Sequence, residues 1–109
     1  MLELWQTEWC PASRRVRQRL TELGVDYLVR QVPVEKTERA ALIDATGSDS
    51  IPSLVLADHV PVIGEEAIET FLEARFTEPR EASAHRAKAE KARRRYLEEA
   101  CKCLQPVSP

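Results

Sequence analysis

Trp9-Cys10-Pro11-Ala12-Ser13 gathers the chain's reactive chemistry into five consecutive residues. A cysteine attacks as the thiolate, which forms where hydrogen-bond donors and positive charge surround the sulfur. Pro11 suits the first position of a helix, where its missing N–H costs nothing. Cys10 then sits at the N-cap, with the unpaired amides of Ala12 and Ser13 and the positive end of the helix dipole facing its sulfur. Ser13, three residues on, adds a hydroxyl, and Arg14 and Arg15 add positive charge, while Glu8 opposes them. The balance predicts a thiol pKa below the ordinary value. The plainer role for such a cysteine is a small buried apolar residue. The loop-to-helix junction, the following proline and the arginine cluster favour the nucleophile. Ser13 also limits the chemistry. A Cys-x-x-Cys pair closes its own disulfide and Cys-x-x-Ser does not. Attack by Cys10 must therefore end as a mixed disulfide or other adduct that a second thiol resolves, from a small molecule or another cysteine.

The elements that would hold this turn are readable in the flanking pattern. Met1 to Gln6 alternates like a short strand. Pro11 to Leu23 reads as a helix, with Val16, Leu20 and Leu23 on one face and Gly24 as its stop. Val25 to Val32 returns to strand. Glu35 to Thr46 reads as a helix with Ala40 and Ile43 inward, ended by Gly47. Ser48-Asp49-Ser50 is loop. Ser53 to Ala57 and Val60 to Ile63 form a hairpin about a tight turn at Asp58-His59. Gly64 to Phe76 is a helix with the apolar stripe Ile68, Phe71, Leu72 and Phe76. A βαβ unit followed by a hairpin and a helix gives an α/β mixed four-stranded sheet, βαβαββα, with helices on both faces. A last helix spans residues 79–104. It is supported by Arg86–Glu90, Glu90–Arg94 and Arg94–Glu98 at i,i+4 spacing, and carries a docking patch of Tyr96, Leu97, Ala100, Cys101 and Leu104. Gln105 to Pro109 is a frayed end.

Composition narrows the function. The 109 residues make one ordinary domain, 43% hydrophobic and 31% charged, which is globular and not disordered. No apolar run approaches ~20 residues, so no membrane-spanning helix is expected. The first residues lack the basic start of a signal peptide. Residues 1–76 carry a net charge of -5 and residues 77–109 one of +3. The acidic body argues against nucleic acid as the main partner. The three cysteines, Cys10, Cys101 and Cys103, with no export signal, point to a reducing, cytoplasmic compartment.

Three segments together carry a family resemblance. Cys10-Pro11-Ala12-Ser13 on a strand-to-helix turn, followed by Leu23-Gly24-Val25-Asp26-Tyr27, resembles the opening of a glutaredoxin or of a glutathione transferase N-terminal domain. Ile51-Pro52-Ser53-Leu54-Val55 resembles that family's Val-Pro segment, in which the proline is cis. Gly64-Glu65-Glu66-Ala67-Ile68 resembles the turn and helix start that follow its hairpin. The resemblance implies a thioredoxin-like domain over residues 1–76, with a C-terminal helix and tail over 77–109. It implies glutathione or another low-molecular-weight thiol as co-substrate, and small thiols and disulfides as substrates. Pro52 would be cis and face Cys10, and the Ile51 backbone would pair strand-fashion with the ligand's cysteinyl part. The helix beginning near Glu65 and Glu66 would receive the γ-glutamyl end. Trp9 and Pro11, on either side of the sulfur, complete the ligand-binding candidates, and Cys10 with Ser13 the catalytic ones.

The same resemblance marks departures. Thr7 stands where glutaredoxins carry a lysine, and Gly64 and Glu65 stand where transferases place an acid and a serine. One helix stands where transferases have a helical second domain. Two functions follow as expectations. The first is a glutaredoxin-like thiol-disulfide oxidoreductase working by a monothiol mechanism. The second is a non-enzymatic module that meets a protein partner, or a second copy, through its last helix. Cys10 with Ser13-Arg14 is also similar to arsenate-reductase-like proteins, but residues 60–76 hold a single arginine, Arg75, where that family binds its oxyanion. Cys101 and Cys103 are read as packing residues, with resolution of a mixed disulfide as their sharper role. No metal is expected, since His59 and His85 have no ligand spacing to the Cys-x-Cys pair. Arg93-Arg94-Arg95 reads as a solvated helix face.

Overall fold

In the computed structural model, β1 (Leu2–Gln6) is the strand on which the others are hung. It leads to α1 (Pro11–Glu22), which returns the chain to β2 (Tyr27–Gln31), parallel to β1. The sheet order is β2-β1-β3-β4, with β3 (Ser53–Val55) antiparallel to β1 and β4 (Pro61–Ile63) antiparallel to β3. α2 (Ala40–Thr46) packs on β3 and β4, and α3 (Glu65–Arg75) packs on α1. The architecture is the mixed four-stranded α/β sheet read from the sequence, with α4 (Ala82–Cys103) following it. The structure describes the backbone of residues 1–103 and the side chains of residues 1–97, in two compact units that divide after Glu78.

One core holds the first unit together. Leu4, Val16, Leu20, Leu23, Leu54, Ile68 and Leu72 are buried against one another. The 3.6-residue period brings Val16 and Leu20 of α1, and Ile68 and Leu72 of α3, onto facing stripes. Phe71 and Phe76 pack on this cluster from its edge. All three residues of β3 are buried, as expected of a central strand with cover on both faces.

α1 ends as its glycine predicts. Gly24 adopts φ +69°. Its N–H reaches the Thr21 carbonyl and the Val25 N–H reaches Leu20, each at 3.0 Å. This paired closure satisfies carbonyls that the helix leaves open, and Val25 adds its side chain to the core.

Three expectations need correction. Glu35 to Thr46 is not one helix: a 3-10 turn at Lys36–Glu38 precedes α2. The break falls at Arg39, whose buried guanidinium donates to the Pro33, Val34 and Asp49 carbonyls at 2.8, 3.1 and 2.8 Å. The later start rephases the helix. Ala40 and Ile43, expected inward, are exposed, and Leu42 and Thr46 take the buried face. The hairpin strands are shorter than read, and the turn is a three-residue loop. The Leu56 N–H reaches Val60, and His59 closes on Leu56 with φ +66°, the left-handed residue such loops require. The second strand begins at Tyr27 and not at Val25.

In the second unit, Arg94 pairs with Glu90 at 3.7 Å, one of the expected i,i+4 contacts. Of the expected docking patch, Tyr96 and Leu97 are exposed. Ala100, Cys101 and Leu104, with Cys103 and the tail, lie outside the described side chains. Among the described residues no helix is long and apolar enough to cross a membrane.

Candidate active site

The sheet register collects four loops at one end of the first unit. Trp5 lies opposite Ser53, and Ser53 opposite Ile63. The segment after β1, the segment before β3 and the segment after β4 are therefore neighbours. β2 runs parallel to β1 with Gln31 beside Gln6, so Val32 to Val34 leave the sheet at the same end. Cys10, Ile51, Pro52, Glu65 and Glu66 all lie on these segments.

Cys10 is the N-cap of α1, with extended backbone (φ -74°, ψ 121°) and Pro11 in the first turn. Its sulfur is half-buried and accepts the Ser13 N–H at 3.5 Å. Partial burial pushes the thiol pKa up. The Ser13 hydroxyl, the Ser13 and Ala12 amides and the charge of Arg15 together outweigh it and carry the pKa below the ordinary value. The direction is the one that the helix start predicts. Ser13 is fully buried, and its Oγ accepts the Thr7 N–H at 3.4 Å. A hydroxyl held in this way keeps its own proton for the sulfur.

The turn carrying the cysteine is braced from below. The Cys10 N–H reaches the Thr7 carbonyl, and that carbonyl also accepts from Arg17. Thr7, in the position of the expected lysine, is buried. Arg17 further donates to Gln6 and to the Glu8 carbonyl. Gln31 and Gln6 bond the Glu8 carboxylate, Arg17 lies 3.7 Å from it, and together they hold Glu8 below the usual carboxylate range. The charge expected to oppose the thiolate is thus already partnered.

The Ile51–Pro52 peptide is cis. Pro52 is buried, Ile51 half-buried, and the Pro52 carbonyl accepts the Gly64 N–H at 2.9 Å. Ser53 Oγ donates to the Ser50 carbonyl at 2.8 Å and closes the turn before this peptide. The same bond to Gly64 fixes the start of α3. Gly64 has φ +93° and offers no side-chain cap, and the first turn carries Glu65 and Glu66. Glu66 is exposed. Glu65 is engaged: Arg15 Nε and Nη2 donate to its two carboxylate oxygens at 2.7 and 2.8 Å. This fork holds Glu65 below the usual carboxylate range. Trp9 is 63% exposed, beside the sulfur in sequence and open to solvent.

Three arginines were beyond the reach of local reading. Arg15 was placed only as first-turn charge. Arg17 and Arg39 carry no local signal of a role, although each braces a loop of the site. Their partners lie 5 to 50 residues away, and periodicity carries no signal for such pairs. Among the described residues no group of three or more His, Cys, Asp or Glu side chains could hold a metal ion.

Comparisons with known proteins agree with this geometry. The glutaredoxin family model matches residues 2–60. A glutathione S-transferase from Rhodospirillum rubrum superposes with a TM-score of 0.62 at 30% identity, over 72% of this chain and 35% of that one. A glutathione S-transferase domain-containing protein from Marinobacter aquaeolei gives 0.61 at 24% identity, over 71% and 40%. A glutathione S-transferase from Methylobacillus flagellatus, solved with GSH bound, gives 0.61 at 24%, over 69% and 37%. The chain thus spans well under half the length of these structures. No curated protein gives a significant match. With its cysteine-capped first helix, cis proline and βαβαββα sheet, this chain belongs to the glutaredoxin family and has the thioredoxin-like fold shared with glutathione S-transferase N-terminal domains.

Proposed function

We propose that the protein is a glutaredoxin-like thiol-disulfide oxidoreductase that works by a monothiol mechanism with a glutathione-type thiol. The observation that carries this reading is the half-buried Cys10 sulfur at the mouth of α1, with Ser13 and not a second cysteine as its donor. The Cys10 thiolate attacks the glutathionyl sulfur of a mixed disulfide. A Cys10–glutathionyl disulfide forms, the original S–S bond breaks, and the released thiolate takes a proton from solvent. A second glutathione, as thiolate, attacks the glutathionyl sulfur. Glutathione disulfide leaves and the Cys10 thiolate returns, so the two electrons come from the small thiols. The Ile51 backbone beside Pro52 pairs with the ligand's peptide edge in strand fashion. Trp9 and Pro11 border the sulfur, and the start of α3 with Glu65 and Glu66 meets the γ-glutamyl end. Residues 1–76 form the catalytic unit, working in a reducing, cytoplasmic compartment.

Reduction of hydroxyethyl disulfide by glutathione tests the reading. The wild type turns over, and Cys10→Ser falls to the uncatalysed rate. Activity retained in Cys10→Ser contradicts the choice of nucleophile. One observation favours the second reading, a binding module that meets a partner or a second copy through α4: Glu65 already fills the Arg15 fork at the ligand's end of the site. Absence of glutathione binding at millimolar concentration supports that module.

A further inference from the structure

The segment that delivers the chain to Cys10 is gripped by one side chain. Arg17 Nη1 donates to Gln6 Oε1 and, at 3.3 Å, to the Thr7 carbonyl, and Nη2 donates to the Glu8 carbonyl at 3.3 Å. Nη2 also lies 3.7 Å from the Glu8 carboxylate. Arg17 stands seven residues after Cys10, so the helical period puts it on the Cys10 side of α1, two turns on. Helix side chains lean toward the N-terminus, which brings the guanidinium back to the segment before the cysteine. The Arg17 side chain is 19% exposed. A guanidinium withdrawn from water needs acceptors, and these acceptors belong to three consecutive residues.

Thr7 passes the grip to the site. Its N–H donates to Ser13 Oγ and its carbonyl accepts the Cys10 N–H, each at 3.4 Å. One residue therefore touches both partners of the sulfur–hydroxyl pair. Both contacts are long for hydrogen bonds, so neither fixes the turn alone. The Thr7 hydroxyl is buried and finds no hydrogen-bond partner in the chain, so no polar contact of its own side chain holds Thr7 in place.

We propose that Arg17 is a positioning residue for the nucleophile: by clamping Gln6, Thr7 and Glu8 to α1, it holds the Thr7 N–H on Ser13 Oγ and so keeps the Ser13 proton turned to the Cys10 sulfur. The inference rests on Cys10 as the nucleophile of the reading above, and not on which thiol resolves it. Arg17 works by shape. Charge at the sulfur already comes from Arg15. A guanidinium offers several donors in one rigid plane, which an ammonium does not. With the clamp loosened, Thr7 no longer engages the Ser13 oxygen, the hydroxyl turns to other acceptors, and the thiolate loses a donor.

The test is iodoacetamide alkylation of Cys10 against pH in the full-length chain, for the wild type, Arg17→Lys, Arg17→Gln, Ser13→Ala and the double variant Arg17→Lys with Ser13→Ala. Far-UV circular dichroism establishes that each is folded. Arg17→Lys and Arg17→Gln should each raise the midpoint of the profile by about half a pH unit, the weight of a weakened bond to a charged acceptor. In the Ser13→Ala background, Arg17→Lys should add almost nothing, because the two residues act through one contact. Three results overturn the inference: a wild-type midpoint in Arg17→Lys, which makes Arg17 a charge and not a clamp; shifts that add in the double variant, which detach Arg17 from Ser13; and loss of the fold in both Arg17 variants, which assigns the residue to folding. A chain that shows the expected shifts yet does not reduce hydroxyethyl disulfide removes the proposed activity and leaves the positioning role. A wild-type midpoint at or above that of a free thiol removes both.

Discussion

α1 and α3 start at the same end of the sheet and pack on one another, yet they treat their free amides in opposite ways. α3 opens on Gly64 and places two carboxylates, Glu65 and Glu66, in its first turn. α1 opens on Cys10 and Pro11 with no acidic residue in its first turn. Both helix starts favour negative charge. α3 supplies that charge permanently from its own sequence. α1 supplies it only by ionising a sulfur. The same backbone field is structural at one mouth and chemical at the other, and the choice turns on a few residue types. Arg15 joins the two, rooted in α1 and bonded to α3.

If the contrast is local to the mouths, the helices should be anchored alike. Leu20 of α1 and Leu72 of α3 are both fully buried in the one core. Leu20→Ala and Leu72→Ala should each cost about 3 kcal/mol, read from urea unfolding. A loss at Leu20 with almost none at Leu72 would mean that the helices differ in anchoring as well as in chemistry. Gly64→Ala sharpens the α3 side. An added Cβ meets nothing within 4 Å, but φ +93° strains any L-residue. The expected cost is about 1–2 kcal/mol in thermal unfolding, and no loss would show that the α3 mouth tolerates another backbone. Ser13→Ala acts on the α1 side and has the smallest effect on stability, about 1 kcal/mol for the lost bond from Thr7. Its signature is in pH. The thiolate loses a donor, so the alkylation profile of Cys10 should move to higher pH. An unmoved profile would remove Ser13 from the site.

Much of this was legible because it is local. Cys10 before Pro11, Gly24 after Leu23 and the Ile68–Leu72 spacing each dictate geometry within a few residues, and each element formed where its signal lay. The βαβ unit and the hairpin carried the mixed sheet, and the likeness of three ordered segments to glutaredoxins carried the cis proline. What failed was tertiary. Ile43 had helical spacing for the core, but Arg39 turned inward to gather three carbonyls and rotated α2 away from that phase. Glu65 reads in the sequence only as a departure from the transferase pattern. Nothing in the spacing of residues 15 and 65 announces that they meet.

The central claim is that the fold at the mouth of α1 lowers the pKa of the Cys10 thiol. The most direct measurement is the rate of iodoacetamide alkylation of Cys10 against pH, followed on the tryptic peptide that carries it. A thiol whose folded pKa is lowered stays thiolate further into acid. The account predicts a profile whose midpoint lies below that of an ordinary free thiol measured in the same buffer. A profile that rises through the range of an ordinary free thiol, or above it, contradicts the account.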